Sequence, residues 1–256
     1  MDKRRIFQIV SLFFLHSSSG WEAKWFCLPV LSCHSCSLSW FACPIGVFIH
    51  YNGYRVFPFL ALGTVLLLAT LGGRLLCGWV CPFGLLQDVM YKIRSPKFRL
   101  PRWTSWMKYV VLFAMVFLFP LLQGEYSLYS FCRICPASAI QVTLPNLVGQ
   151  GFQITHSGTA IKLGILGAIL ILVTFSSRAF CKTMCPLGAL LAPFNLISFW
   201  RVRPATTECI SCHRCDKICP TDARPSVKIL ESTAPNRAPE CIACHDCQAV
   251  CPKAGE

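Results

Sequence analysis

CISCHRCDKICP at residues 209–220 and CIACHDCQAVCP at residues 241–252 repeat one pattern, C-x2-C-x2-C-x3-C-P. In bacterial ferredoxins this run holds two [4Fe–4S] clusters, because three closely spaced thiolates bind one cluster and the thiolate before the proline binds the other. The pattern therefore predicts a small C-terminal two-cluster ferredoxin domain over residues 201–256. Its expected ligands are Cys209, Cys212, Cys215 and Cys251 for cluster 1, and Cys241, Cys244, Cys247 and Cys219 for cluster 2.

The same residues also match C-x-x-C-H, the attachment signature of c-type haem, at residues 209–213 and 241–245. Haem attachment would use four of the eight cysteines and would leave both prolines without a role. The cluster interpretation uses all eight cysteines. We therefore expect no haem, and we expect His213 and His245 to lie in loops near the clusters.

Most of the chain is too apolar for a water-soluble domain. Hydrophobic residues make up 54% of the 256 residues and charged residues 14%, while the net charge is +13. The basic residues lie beside apolar segments, where they set membrane orientation, so no nucleic acid partner is expected. We predict an all-α membrane domain over residues 1–200. Its four transmembrane helices are expected at Ile6–His16, Phe57–Leu76, Trp103–Leu122 and Thr159–Phe175.

Two apolar segments allow more than one interpretation. Ile6–His16 is short for a crossing, which takes about 20 residues, and a cleaved signal peptide is the alternative. No small-x-small cleavage site follows it, which favours an uncleaved anchor. Leu187–Trp200 contains Pro193 and Asn195, so we predict an interfacial or packed helix there instead of a fifth crossing.

Lysine and arginine are distributed unevenly among the loops. Residues 18–56 hold only Lys24 and Arg55, and residues 123–158 hold only Arg133. Basic residues favour the cytoplasmic side, so these two loops are expected outside and both termini in the cytoplasm. The expected location is the cytoplasmic (inner) membrane of a prokaryote, with a multi-pass topology.

A second cysteine motif occurs twice in the predicted membrane domain. C-x3-C-P-x-G stands at residues 77–84 and again at residues 181–188, in each case after an apolar segment. A C-P pair precedes each of these segments on the predicted outer side, at residues 43–44 and 135–136. The recurrence predicts a duplicated two-helix unit with parallel copies. The four inner thiolates are expected to hold cluster 3: Cys77, Cys81, Cys181 and Cys185.

The predicted outer loops supply five further candidate ligands. Four of the five would hold a possible cluster 4, and the spacing does not say which one is spare. A disulfide is the alternative, since the outer compartment oxidises thiols. Cys27 fits no pattern and is expected to be a small buried apolar residue. The five candidates are Cys33, Cys36, Cys43, Cys132 and Cys135.

Taken together, these motifs resemble those of the NapH/MauN-type membrane polyferredoxins. The resemblance covers nearly the whole chain, and its most specific part is CGWVCPFG at residues 77–84. Other shared pieces are CHSC at residues 33–36, CPIG at residues 43–46 and CRICPA at residues 132–137. The resemblance implies four transmembrane helices, cytoplasmic clusters and electron traffic between quinones and a partner redox protein.

These features predict a function in electron transfer. Iron–sulfur clusters carry single electrons, and the sequence contains neither a G-x-G-x-x-G dinucleotide fingerprint nor a hydrolytic motif. We expect an electron-transfer subunit of a multisubunit oxidoreductase, with no catalytic residues of its own, rather than a stand-alone catalyst. A cytochrome or an iron–sulfur protein is the expected partner. A redox sensor or an assembly factor for another metalloenzyme is the alternative, because the same ligands would serve it.

Overall fold

The structure, a computed structural model, describes residues 3–18, 23–124, 129–149, 151, 157–202 and 209–252. Helices and loops make up this part of the chain, which contains no β-strand. One isolated bridge joins Cys27 to Ala42. The prediction of an all-α fold is therefore confirmed for these residues. Parts of both predicted outer loops and the start of the predicted C-terminal domain, residues 203–208, lie outside them.

Eleven helical segments precede residue 200 in the described ranges: α1 (Lys3–Leu15), α2 (Pro44–Gly53), α3 (Phe59–Gly72), α4 (Leu75–Trp79), α5 (Pro82–Met90), α6 (Arg102–Gln123), α7 (Phe131–Ile134), α8 (residues 136–149), α9 (Ser157–Phe175), α10 (Ala179–Thr183) and α11 (Pro186–Leu196). The C-terminal region adds α12 (Arg214–Ile218), α13 (Pro225–Leu230) and α14 (Asp246–Ala249).

Two of these helices are long and apolar enough to cross a membrane: α6, with 22 residues, and α9, with 19. By contrast, α1 and α3 have 13 and 14 residues, which is shorter than the roughly 20 residues of a full crossing. Helix α3 ends where Gly73 adopts a φ of +58°, a conformation that glycine tolerates best. The arrangement of four crossings stays a prediction.

The order of helices is the same in the two halves of the repeat. Helices α2 and α8 each begin at a C-P pair, α3 and α9 follow, and α5 and α11 begin at the proline of the C-x3-C-P-x-G motif. Helix α5 packs against α1 of its own half and α9 of the other half, while α11 packs against α6 and α3 in the same way. The two halves therefore interlock, and each contains a short helix, α2 or α8, in addition to the predicted unit.

One apolar core joins the parts of the molecule that carry the cysteine motifs. It contains Cys43 and Cys135 of the predicted outer loops, Cys77 and Cys185 of the C-x3-C-P motifs, and Ile242 of the C-terminal region. The motifs are far apart in the sequence, but the fold brings them into one packed core.

Candidate iron–sulfur sites

Each C-P pair before residue 200 begins a helix in the described structure. Proline suits the first helical position, because its φ is preset and the missing N–H needs no partner there. The cysteine before it therefore caps the helix start, where the helix dipole favours a thiolate. At Cys185 the sulfur also accepts a hydrogen bond from the backbone N–H of Gly188, three residues later, at 3.4 Å.

The structure brings together the four cysteines of the two C-x3-C-P motifs, which we call the inner thiol group: Cys77, Cys81, Cys181 and Cys185. All four are buried, with 6–9% of each residue exposed. Gln87, which is also buried, donates a hydrogen bond from its side-chain amide to Cys181 Sγ at 3.0 Å. Hydrogen bonds to cluster sulfurs tune reduction potential, so Gln87 is a functional candidate that the sequence analysis did not identify.

Burial favours the protonated form of Cys77, Cys81 and Cys185 when no metal is bound. It raises the pKa of Cys81 to about 12, and the neighbouring Cys181 and Cys77 raise that pKa further. The same cause raises the pKa of Cys241 in the C-terminal region to about 12. A bound metal centre deprotonates a coordinating thiol outright, so a buried group of four thiols is suited to a cluster that replaces the four protons.

The arrangement is not that of a single-ion site. Among the described residues, no three His, Cys, Asp or Glu side chains lie close enough to hold one metal ion. In a [4Fe–4S] cluster each of the four thiolates binds at its own corner. All eighteen cysteines are free thiols, so no disulfide joins the predicted outer loops.

Two buried arginines flank the inner thiol group, one from each half of the repeat. Arg178, with none of its side chain exposed, donates to both carboxylate oxygens of Asp88 at 2.8 and 2.6 Å and to the Cys77 carbonyl at 2.9 Å. Arg74, with 1% exposed, pairs with Glu240 at 3.1 Å. Burial alone would raise the pKa of Asp88, but Arg178 holds that pKa below its usual range.

These arginines were not identified from the sequence, although an arginine stands three residues before the first cysteine in both motifs. Each one also explains a glycine of the opposite motif. A Cβ atom at Gly84 would lie 3.1 Å from the Cys77 carbonyl oxygen and 3.3 Å from Arg178, and a Cβ atom at Gly188 would lie 3.0 Å from Arg74. Glycine in C-P-x-G therefore leaves room for the guanidinium group of the other half.

Four of the five outer candidates also come together. Cys33, Cys43, Cys132 and Cys135 line one small cavity, and we call them the outer thiol group. Cys36 is buried, with 6% exposed, but does not line this cavity. Lys162 of α9 donates to Ser138 at 2.6 Å and favours the thiolate of Cys135, whose pKa burial raises to about 11. Cys27 is buried and apolar in its surroundings, as expected.

The outer and inner thiol groups are neighbours, although the sequence analysis expects them at opposite membrane faces. The backbone N–H of Leu31, two residues before Cys33, lies near the Cys81 thiol and opposes the rise in its pKa. The ring of Phe131, beside Cys132, lies 6.5 Å from the ring of Phe180, beside Cys181. The reason is that the outer C-P cysteines start helices inside the core and do not lie at loop tips.

In the C-terminal region the structure brings together the predicted ligands of cluster 2. Cys219, Cys241, Cys244 and Cys247 line one small cavity. Of the cluster 1 set, Cys215 lies near Cys209, Cys212 is exposed, and Cys251 is half-buried. Both histidines of the C-x-x-C-H matches hydrogen-bond to nearby side chains: His213 to Asp216 and His245 to Gln248.

The cluster 2 region docks directly on the first C-x3-C-P motif. A Cβ atom at Gly78 would lie 2.2 Å from the Ile242 carbonyl oxygen, so only glycine allows the two backbones to approach this closely. Trp79 donates its indole N–H to the Ala243 carbonyl at 2.8 Å. Asn195 of α11 donates to the Cys241 carbonyl at 2.7 Å. The glycine and tryptophan of C-G-W therefore form a contact between the inner thiol group and the C-terminal region.

Comparison with known proteins agrees with this geometry. The family model of a 4Fe-4S binding domain matches residues 54–101 and 161–204, one match in each half of the repeat. The chain is 32% identical over 178 residues to protein MJ0750 of Methanocaldococcus jannaschii, an alignment that covers 66% of this chain and 67% of the relative. No solved structure gives a significant match.

Two further relatives have names that describe electron carriers. The electron transport protein YccM of Escherichia coli is 28% identical, over 63% of this chain and 45% of YccM. The methylamine utilization ferredoxin-type protein MauN of Methylorubrum extorquens is 29% identical, over 66% of this chain and 56% of MauN. The chain thus spans about half the length of these two relatives.

The helical fold, the grouped thiols and these relatives define an iron–sulfur electron-transfer protein of the [4Fe–4S] type. More narrowly, the chain belongs to the polyferredoxin-type family of MJ0750, and it is similar to the MauN protein.

Proposed function

We propose that this chain is a membrane-bound subunit of a redox complex and relays electrons through four [4Fe–4S] clusters. The inner thiol group would hold cluster 3 and the outer thiol group cluster 4, with Cys36 as the spare cysteine. The C-terminal eight cysteines would hold clusters 1 and 2 in the predicted sets. A cluster bound at each group would supply one-electron oxidation and reduction.

The observation that carries this proposal is the continuous contact between the thiol groups. The outer group reaches the inner group through Leu31 and the Phe131–Phe180 ring contact. The inner group reaches the cluster 2 cysteines through the Gly78–Ile242 contact. Electrons would therefore pass in the order cluster 4, cluster 3, cluster 2 and cluster 1, or in reverse.

A cavity next to this path supports exchange with the quinone pool. It lies between the start of α6 and the C-terminal region. Its volume of about 490 Å³ is within the size range of ligand pockets. Trp103 and Trp106 line it, and such aromatic residues prefer the membrane interface. Lys182, which follows Cys181, and Glu240, which precedes Cys241, also line it. A quinone bound there would be next to clusters 2 and 3.

The direct test is the iron and sulfide content of the anaerobically purified chain, together with EPR of the reduced protein. Four clusters require about sixteen iron atoms per chain, since each holds four. Adding a short-chain quinone such as decylubiquinone to the dithionite-reduced protein should oxidise the clusters. Iron for fewer than four clusters would reject the four-cluster relay, and complete clusters that the quinone leaves reduced would reject only the exchange with quinone.

The predicted location and topology belong to the same proposal. Clusters 1 and 2 would lie in a cytoplasmic domain over residues 201–256, and both termini would be cytoplasmic. A partner cytochrome or iron–sulfur protein would exchange electrons at one end of the path. Fusion of green fluorescent protein or alkaline phosphatase to the C-terminus tests the topology: a fluorescent and phosphatase-negative pair supports it, and the opposite pair overturns it.

A further inference from the structure

The two halves of the repeat differ at one charged position beside the inner thiol group. Alignment of Cys77 with Cys181 also aligns Arg74 with Arg178, and Asp88 with Ala192. Arg178 is neutralised by Asp88, which lies one helical turn after the Gly84 that contacts the same guanidinium group. Arg74 has Ala192 at the equivalent position, so the opposite half of the membrane region supplies no matching carboxylate for it.

The carboxylate that pairs with Arg74 comes from the C-terminal region. Glu240, directly before the predicted cluster 2 ligand Cys241, binds Arg74 at 3.1 Å and also forms an ion pair with Lys108. The side chains of Arg74 and Lys108 are 1% and 0% exposed. Arg74 also donates to the Pro239 carbonyl at 2.9 Å. Glu240 therefore joins two buried cations near the inner thiol group to the segment that leads into cluster 2.

We propose that Glu240 is a positioning residue that couples docking of the cluster 2 segment to the reduction potential of cluster 3. This inference rests on the proposed function. A buried charge without a partner is costly, and a cation near a cluster stabilises its reduced, more negative state. With Glu240 in place, one of the two positive charges is compensated and the potential of cluster 3 is lower, so its electron passes to cluster 2. Without Glu240, cluster 3 holds its electron more strongly.

The test compares Glu240→Gln with Glu240→Asp in the full-length chain. Glu240→Gln should keep the iron of all clusters, raise the midpoint potential of the cluster 3 signal in an EPR-monitored titration, and slow its reoxidation through the C-terminal clusters. Glu240→Asp keeps the charge and should leave the potential close to that of the wild type. A complete iron content with an unchanged potential in Glu240→Gln overturns the proposal, and so does an equal shift in Glu240→Asp.

A second variant separates charge from docking. Ala192→Asp places a carboxylate where Asp88 stands in the other half, facing Arg74 in the same way that Asp88 faces Arg178. In the Glu240→Gln background it should restore the lower potential of cluster 3, while hydrogen exchange of residues 238–243 stays faster than in the wild type. If Ala192→Asp restores both the potential of cluster 3 and the slow hydrogen exchange of residues 238–243, or restores neither, then charge and docking are not separate roles of Glu240. Absence of the cluster 3 signal in the wild type would reject the proposed function itself, whatever Glu240 does.

Discussion

The inner and outer thiol groups share one plan but differ in their charge environment. Each takes two cysteines from each half of the repeat, and each has C-P cysteines at helix starts. The inner group is flanked by the buried cations Arg74, Arg178 and Lys108, paired with carboxylates. Beside the outer group, Lys162 bonds to a serine hydroxyl. The same thiol arrangement can therefore serve two potentials, since charge near a cluster sets its potential.

The largest effects should come from the cysteines themselves. Cys81→Ser should remove one cluster, about four iron atoms, and Cys43→Ser should remove a different one, because each supplies a thiolate to its own group. EPR difference spectra and iron content distinguish the two losses. Cys36→Ser is the matched control in the same outer loop, and it should keep all the iron because Cys36 does not line the outer cavity. Loss of iron in this control would contradict the assignment of the spare cysteine.

The next largest effect concerns the cations. Arg178→Met leaves Asp88 buried without its main partner, a change that typically costs about 3–5 kcal/mol. Lys162→Met removes a half-buried hydrogen bond, which is worth about 1–2 kcal/mol at most. The midpoints of thermal unfolding, followed by the loss of cluster absorbance, measure both. An equal drop in the unfolding midpoint of the two variants would contradict the stronger charge pairing that we assign to the inner thiol group.

The sequence made the thiol groups predictable but not their surroundings. Spacing alone led to Cys77, Cys81, Cys181 and Cys185 as one set, because the repeated motif marks equivalent positions. It could not choose among the five outer cysteines, since that choice depends on how the loop around Cys36 folds back. The ion pairs of Arg74 and Arg178 join residues 90 to 166 positions apart, and no local pattern indicates such partners.

The short helices that begin at the outer C-P pairs were also not predicted. Their sequences at residues 44–53 and 136–149 lie in segments with few basic residues, so the charge rule assigned them to outer loops. Proline at the first helical position was the available signal. The same C-P feature begins α5 and α11, and reading it in all four places would have predicted that the outer cysteines start helices.

The contact between the inner group and the C-terminal region gives a third prediction, of intermediate size. Gly78→Ala places a Cβ atom 2.2 Å from the Ile242 carbonyl oxygen, so the segment that carries Cys241 must move away. Electron transfer between clusters 3 and 2 should slow at least tenfold while the outer group is unaffected. Stopped-flow absorbance after rapid mixing with a reductant measures the transfer. Gly63→Ala is the matched control, because no atom lies within 4 Å of a Cβ there.

The smallest expected effect, and the sharpest test of the comparison, is at Gln87. Its side-chain N–H lies 3.0 Å from Cys181 Sγ, and the equivalent residue in the other half is the buried Leu191. A hydrogen bond to the sulfur stabilises the more negative, reduced cluster, so Gln87→Leu should lower the midpoint potential of cluster 3. The change makes the two halves alike at this position and leaves every thiolate in place.

The potential of cluster 4 should not change, because Gln87 contacts the inner thiol group and not the outer thiol group. A shift of both potentials would mean that Gln87 acts through the packing of the shared core, and no shift in either would mean that the N–H to sulfur bond does not tune the cluster.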